Sequence, residues 1–234
     1  MDVAGKNILI TGGSLGIGKE TAKILVSKGA NVIITGRDEQ RLLKAKDFSG
    51  AHPLVFDISD VDSLSHNVKK CMDYFEGKID VLINNAGIGF FSQMDDVKYS
   101  DFKNVFDVNV FGLALLTQEI IPFMKSQNSG TIINIGSSAS LKGFKSGSVY
   151  AASKFAVRAL TQCWQAELRP YSIRVCQLNP SEVKTAFNDP DRVERSLVDN
   201  KLRPSEISHA IISVLEMDDR GFVNELNVWA TNPF

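Results

Sequence analysis

Three cysteines, two tryptophans and three histidines are all that this chain of 234 residues holds of those types, and each scarcity removes a class of protein. Cys71, Cys163 and Cys176 are odd in number and widely spaced, with no C-x-x-C pair for zinc or redox work and no even set for a disulfide framework. They read as reduced core thiols. His52, His66 and His209 lie outside every motif described below, so no metal site is expected and zinc-dependent alcohol oxidation is disfavoured. Charge of one sign is also missing. Twenty-six Lys and Arg stand against 27 Asp and Glu, a formal net charge of −1, and no basic run could neutralise a row of nucleic-acid phosphates. No stretch offers about 18 apolar residues in a row, and Met1 to Lys6 enters a strand-like run without an apolar leader. A soluble cytoplasmic protein, with neither nucleic acid nor membrane as partner, is the expectation.

What is present is an average globular composition, 44% hydrophobic and 23% charged, enough to bury one core at this length. One domain over residues 1–234 is expected. Apolar β-branched runs alternate with helical periods, the signal for βαβ units. Strands are expected near Asn7 to Thr11, Asn31 to Thr35, Pro53 to Phe56, Val81 to Asn84, Thr131 to Ile135, Arg174 to Leu178 and Phe222 to Val228. The fold class is therefore α/β, a doubly wound parallel sheet of about seven strands with helices on both faces. A capping box is expected at Ser59 with Asp62, and the last helix at Pro204-Ser205-Glu206. Residues 181–203 mix charge, Pro and Asn without period, which predicts a long substrate loop.

The first strand runs into Thr11-Gly12-Gly13-Ser14-Leu15-Gly16-Ile17-Gly18, and a helical stretch follows from Lys19 to Lys28. Glycines there let backbone N–H groups and the positive helix end approach a pyrophosphate. The segment also fits G-x-x-x-x-G-K, yet Glu20 stands where a Ser or Thr would hold Mg²⁺, so a nucleoside-triphosphate loop is excluded. Taken alone, the turn could also be an ordinary tight βα connection.

Tyr150 and Lys154 sit four apart in a helix-compatible stretch, so both project from one face. An ammonium beside a phenol favours phenolate, which would lower the tyrosine's pKa towards a range useful for proton exchange. Ser137 precedes Tyr150 just beyond a strand, where a parallel sheet opens onto its ligand crevice; Ser138 is chemically as good a hydroxyl. Asn109 falls in a long apolar helix, where a buried amide needs partners. A half-buried Tyr, a solvated Lys, a loop Ser and a satisfied core Asn are the ordinary readings of the same residues.

Thr11 to Gly18, Asp57, Asn84-Asn85-Ala86-Gly87, Asn109, Ser137, Tyr150, Lys154 and Pro180 to Thr185 occur together in the order seen in the short-chain dehydrogenase/reductase family, which the chain resembles over nearly its whole length. The resemblance implies a Rossmann-type fold and an oxidoreductase that reduces a carbonyl. It assigns carbonyl orientation to Ser137, proton delivery to Tyr150 and binding of the nicotinamide ribose to Lys154, with Asn109 holding a water of the proton relay. It further implies a cofactor set of Gly12, Ser14, Leu15, Gly16, Ile17, Gly18, Arg37, Asp57, Ile58, Asn85, Ala86, Gly87, Tyr150, Lys154, Pro180, Val183 and Thr185. Ser181 replaces a usual glycine in the Pro180 to Thr185 segment.

The second strand ends Thr35-Gly36-Arg37 without the acid that would bond a ribose 2′-hydroxyl; Gly36 leaves room for a 2′-phosphate and Arg37 can grip it, so NADP(H) is expected over NAD(H). Ile88, Phe90, Phe91, Ser140, Leu141, Phe144 and Phe187 are the expected lining for an apolar ketone. The C-terminal stretch Asn227 to Phe234 resembles short bacterial members known as 3-oxoacyl-(acyl-carrier-protein) reductases, and Lys184, Arg192, Arg195, Lys201 and Arg203 could meet an acidic carrier. A generic carbonyl reductase ranks ahead of that reading. The alternative of another class is a non-catalytic NADP-binding sensor on the same fold. Surplus apolar residues in Val105 to Leu116 and Ala151 to Leu160 predict a homodimer or homotetramer paired through these helices.

Overall fold

The computed structural model describes residues 1–187, 189, 191–194, 198 and 200–232. Its strands are β1 (Asn7–Ile10), β2 (Asn31–Gly36), β3 (His52–Val55), β4 (Val81–Asn84), β5 (Gly130–Ile135), β6 (Ile173–Pro180) and β7 (Glu225–Val228). They form one sheet in the order β3-β2-β1-β4-β5-β6-β7, every neighbouring pair parallel. Each expected strand is present; the last is shortened, beginning at Glu225 rather than Phe222.

The helices are α1 (Gly16–Ser27), α2 (Glu39–Ser49), α3 (Leu64–Tyr74), α4 (Tyr99–Phe106), α5 (Leu113–Gln127), α6 (Ser148–Leu168) and α7 (Pro204–Glu216). Because successive strand side chains alternate between faces, Ile8 and Ile10 pack with Ala22 and Leu25 of α1, Leu42 of α2 and Ile207 and Ile211 of α7. Leu9 between them joins the opposite layer, with Cys71 of α3, Leu116 and Ile120 of α5 and Val157 and Trp164 of α6. Both faces of the strand are therefore apolar, which is why the runs read as continuous rather than alternating. Truncating a buried side chain such as Leu9 to alanine removes roughly 2–5 kcal/mol of stability. The unbroken helical stretch Tyr99–Gln127 is long and apolar enough to cross a membrane, yet half of its apolar window is buried inside the molecule, where it packs on the sheet.

Three local readings are corrected. Helix α1 begins at Gly16, ahead of Lys19, because the glycine turn itself winds into the first helical turn. The capping box at Ser59 and Asp62 does not form: the Ser59 N–H and hydroxyl donate instead to Asp57 Oδ1 at 2.9 and 2.7 Å, and a 3₁₀ turn, Val61–Ser63, leads into α3. Between α4 and α5 the chain forms a π-helical turn, Asp107–Gly112, that carries Asn109. Helix α7 starts as expected at Pro204, with the Arg203 N–H donating to Glu206 Oε2 at 2.7 Å.

Connections leave β1 towards β2 on one side and β4 towards β5 on the other. The crevice beyond the carboxyl ends at such a reversal is where doubly wound sheets take ligands.

Candidate active site

The segments leaving β1 to β6 meet around one cleft of about 580 Å³. At its centre the turn after β1 is stitched to the turn after β4. Thr11 Oγ1 accepts from the N–H groups of Asn85 and Ala86, both at 3.0 Å, and Asn85 Nδ2 donates to the carbonyls of Thr11 and Gly12 at 3.0 and 2.9 Å. Gly12 has φ +65, and a Cβ there would stand 2.8 Å from Ala86 Cα, so no other residue allows this approach. Gly16 has φ +54 and faces Thr185, 3.0 Å from where its Cβ would be. Gly12, Ser14, Leu15, Gly16 and Ile17 line the resulting cradle opposite Pro180, Val183 and Thr185. Gly18 does not line it. A Cβ at Gly18 would meet Asn85 Nδ2 and Gly12 O, both at 2.6 Å, so this glycine serves the packing of α1 against the turn.

At one end of the cleft stand Thr35, Gly36, Arg37, Asp57 and Ile58. Arg37 lies 3.8 Å from Asp57, a long and exposed ion pair of little strength. Two further arginines line the cleft, Arg41 from α2 and Arg192 from the segment between β6 and α7. Neither belongs to the expected cofactor set. Arg41 lies in the first turn of the helix that starts just after Arg37; Arg192 sits in an aperiodic stretch with no sequence signal. Burial, and then the charges of Arg37 and Arg41, lower the pKa of Arg192 from its ordinary value. Two residues on, Glu194 accepts from the Gly16 N–H at 3.2 Å and from Lys19 Nζ at 2.7 Å, another contact that the sequence does not announce.

At the other end lie Ser137, Ser138, Tyr150 and Lys154. Ser137 follows β5, and its hydroxyl accepts from the Ala139 N–H at 3.1 Å. Its own N–H donates to Ser140 Oγ at 3.1 Å and Asn179 Oδ1 at 3.2 Å. The neighbouring Ser137 hydroxyl favours the ionised phenol of Tyr150, but burial dominates there and pushes the phenol up to about 12. The expected lowering by Lys154 is thus not what the chain alone produces: Lys154 Nζ stands 5.8 Å from the ring centroid, and desolvation outweighs it. Lys154 is buried with its Nζ donating to Ile135 O at 2.8 Å, and burial brings it down to about 8.

Asn109 lies behind the cleft wall. It is 1% exposed; its Oδ1 accepts from the Ile88 N–H at 2.8 Å, and its Nδ2 donates to Ile88 O at 2.9 Å and Ser153 Oγ at 3.1 Å. The amide thereby clamps the strand exit after Gly87 to helix α6, one residue before Lys154. Asn85, Ala86, Gly87, Ile88, Phe91, Phe144 and Phe187 line the cleft as expected, with Phe91 and Phe187 edge-on to Tyr150 at 5.4 and 5.7 Å. Phe90, Ser140 and Leu141 do not. Of the two expected phenylalanines only Phe91 lines the cleft, packing between Tyr150 and Phe144. Ser140 is fully buried because its hydroxyl is needed beneath the Ser137 N–H. Of the cations considered for a carrier protein, Lys184 and Lys201 both pair with Glu182, at 3.1 and 2.8 Å, Arg192 turns into the cleft, and Arg195 lies outside the described residues.

A doubly wound sheet with a glycine cradle at its reversal, ending in a Ser, Tyr and Lys set, defines the class. The short chain dehydrogenase pattern matches residues 6–196, and the chain belongs to the short-chain dehydrogenase/reductase family of oxidoreductases. It is 34% identical to an uncharacterized oxidoreductase of Staphylococcus saprophyticus over 97% of this chain and 98% of that one. It is 35% identical to dehydrogenase/reductase SDR family member 7B of Xenopus laevis over 76% of this chain, and spans 58% of that longer relative. Among solved structures it resembles a metagenomic short-chain oxidoreductase in complex with NADP, at 27% identity and a TM-score of 0.85 with 99% of each chain covered. It likewise resembles the 3-ketoacyl-(acyl-carrier-protein) reductase of Brucella melitensis complexed with NADH, at 28% identity and a TM-score of 0.87 over 99% of this chain and 100% of that one.

Proposed function

We propose that this protein is an NADP(H)-dependent reductase of an apolar ketone. The observation that carries the reading is that Ser137, Tyr150 and Lys154 line the cleft together at the end of the cradle, with Lys154 one helical turn further along α6 than Tyr150 and an aromatic wall beside them. The cradle suits a dinucleotide: its two positive-φ glycines bare the backbone that phosphates approach. When bound, the dinucleotide supplies a hydride to the carbonyl carbon. Ser137 orients the carbonyl by hydrogen bonding its oxygen, and Tyr150 gives that oxygen its phenolic proton as negative charge develops there, so that C=O becomes CH–OH. A phenol kept protonated by burial suits a proton donor. Lys154 places a cation one turn along the same helix, and Asn109 keeps Ile88 and Ser153 in register with both. The absence of an acid at Gly36 and the arginines beside it favour the 2′-phosphorylated dinucleotide; the metagenomic relative is in complex with NADP and the Brucella relative with NADH.

The cleft is open as far as Tyr150, which favours the enzyme over a non-catalytic sensor. A 3-oxoacyl thioester is the narrower substrate, supported by likeness to the Brucella reductase; commitment of Lys184 and Lys201 to Glu182 weighs against an acidic carrier and keeps the generic ketone ahead. Of the three cysteines expected in the core, Cys71 and Cys176 are buried free thiols, whereas Cys163 is exposed on α6; free thiols accord with a cytoplasmic setting. The test is oxidation of NADPH and NADH with ketones, diketones and a 3-oxoacyl thioester, on wild type and Tyr150→Phe. Turnover with NADPH should fall at least about 100-fold in the variant while NADPH binding persists. Equal turnover in the two proteins would reject Tyr150 as proton donor.

A further inference from the structure

We propose that Arg192 is a specificity-determining residue for the dinucleotide: carried by the segment between β6 and α7, it reads the 2′-phosphate together with Arg37 and Arg41. This rests on the NADP(H) reading above and adds to it a residue from outside the nucleotide-binding half of the sheet.

Arg37 at the exit of β2, Arg41 in the first turn of α2 and Arg192 between β6 and α7 all line the cleft, and Arg192 is near enough to Arg37 and Arg41 for their charges to act on it. The carboxylates nearby are occupied elsewhere. Asp38 caps α2 by accepting from the Arg41 N–H at 2.9 Å, with Arg41 Nε at 3.2 Å from its other oxygen. Asp57 Oδ1 is held by Ser59, which leaves Arg37 at 3.8 Å from Oδ2, beyond hydrogen-bond reach. Asp189 attracts Arg192 but less than Arg37 and Arg41 repel it.

The arrangement is built rather than incidental. Arg192 holds φ +55, a sparsely populated backbone for a residue with a Cβ. It is kept there by its N–H donating to Asp189 O at 3.1 Å, by its Nη1 donating to Phe187 O at 3.3 Å, and by the anchoring of Glu194 on Gly16 and Lys19. Arg192 is partly buried and Arg37 exposed; guanidiniums that repel one another are relieved by a shared dianion, and a forked donor suits phosphate oxygens. The same Phe187 whose carbonyl Arg192 holds lies edge-on to Tyr150. Grip on the 2′-phosphate is thereby tied to the position of the substrate wall.

Dissociation constants for NADPH and NADH, measured by fluorescence on wild type and Arg192→Ala, test this. Arg192→Ala should weaken NADPH about tenfold and leave NADH within about twofold, which also reports that the variant is folded. Adenosine 2′,5′-bisphosphate should lose affinity by the same factor as NADPH, and 5′-AMP none. Equal weakening of NADPH and NADH, or of neither, overturns the assignment, since a residue that only shapes the segment cannot discriminate a phosphate. Wild type binding NADH as tightly as NADPH would instead remove the NADP(H) reading itself, a result visible before any variant is made.

Discussion

Lys154 shows what the proposed site asks of a single residue. A lysine brought from 10.5 down to about 8 by burial is a cation the fold would rather not hold. The folded state binds its proton less tightly than the unfolded chain, so the charge destabilises the protein fully below about pH 8, and stability returns as pH rises from about 8 towards 10.5. A shift of that size corresponds to roughly 3 kcal/mol, reduced in part by the bond to Ile135 O. Lys154→Met should therefore melt several degrees higher than wild type at pH 7 while losing turnover, and its advantage should shrink near pH 10; calorimetry across that range checks it. A variant less stable at every pH would show that Lys154 is structural. Tyr150 follows the same logic with opposite sign. Its burial favours the neutral phenol, which is the form that can donate.

Single elements position these residues through links that cross the sheet. Asn179, at the end of β6, accepts from the Ser137 N–H and from Gln177 Nε2, and donates to Glu225 and Asn227 of β7 at 2.8 and 3.0 Å. Glu225 in turn takes Arg158 Nη2 at 3.0 Å, and Arg158 lies on α6 one turn beyond Lys154. The serine loop and the tyrosine helix are thus braced through β6 and β7. Asn179→Ala should lower kcat about tenfold by freeing Ser137, with NADPH affinity unchanged; an unchanged kcat in steady-state assays would show the brace to be dispensable. The π turn at Asp107–Gly112 is another such device. It places Asn109 where its amide can clamp both atoms of the Ile88 backbone, and a Cβ at Gly112 would fall 2.3 Å from Ile58 O, so the turn is pressed close against the cleft wall.

For the molecule as a whole, the apolar surplus noted in residues 105–116 and 151–160 is resolved into an outward face. Phe111 is 50% exposed and Phe155 43%, and Phe102, Phe106 and Phe111 form a chain of tilted rings across α4 and the π turn. Such surface is costly to leave in water, and a second copy of the chain is the simplest cover. Light scattering should give a dimer or tetramer, and Phe111→Glu with Phe155→Glu should give a monomer of unchanged circular dichroism. A monomeric wild type would sink the interface.

Periodicity and glycine placement sufficed for seven strands, their parallel class and the cradle, because each of those depends on a few neighbouring residues and on backbone preferences that act locally, whereas Ser137, Tyr150 and Lys154 were singled out only by the resemblance to the family. Ser59 already shows the limit, since a capping pattern lost to a nearer acceptor, Asp57. Which of Phe90 and Phe91 faces the phenol, that Ser140 is spent beneath Ser137, and that Asn109 rides a π turn were settled by packing between segments. So was the meeting of Arg192 with Arg37 and Arg41, and of Glu194 with Gly16. These contacts join residues far apart along the chain, and only the closing of the sheet and its loops, which sets their separation in space, could decide them.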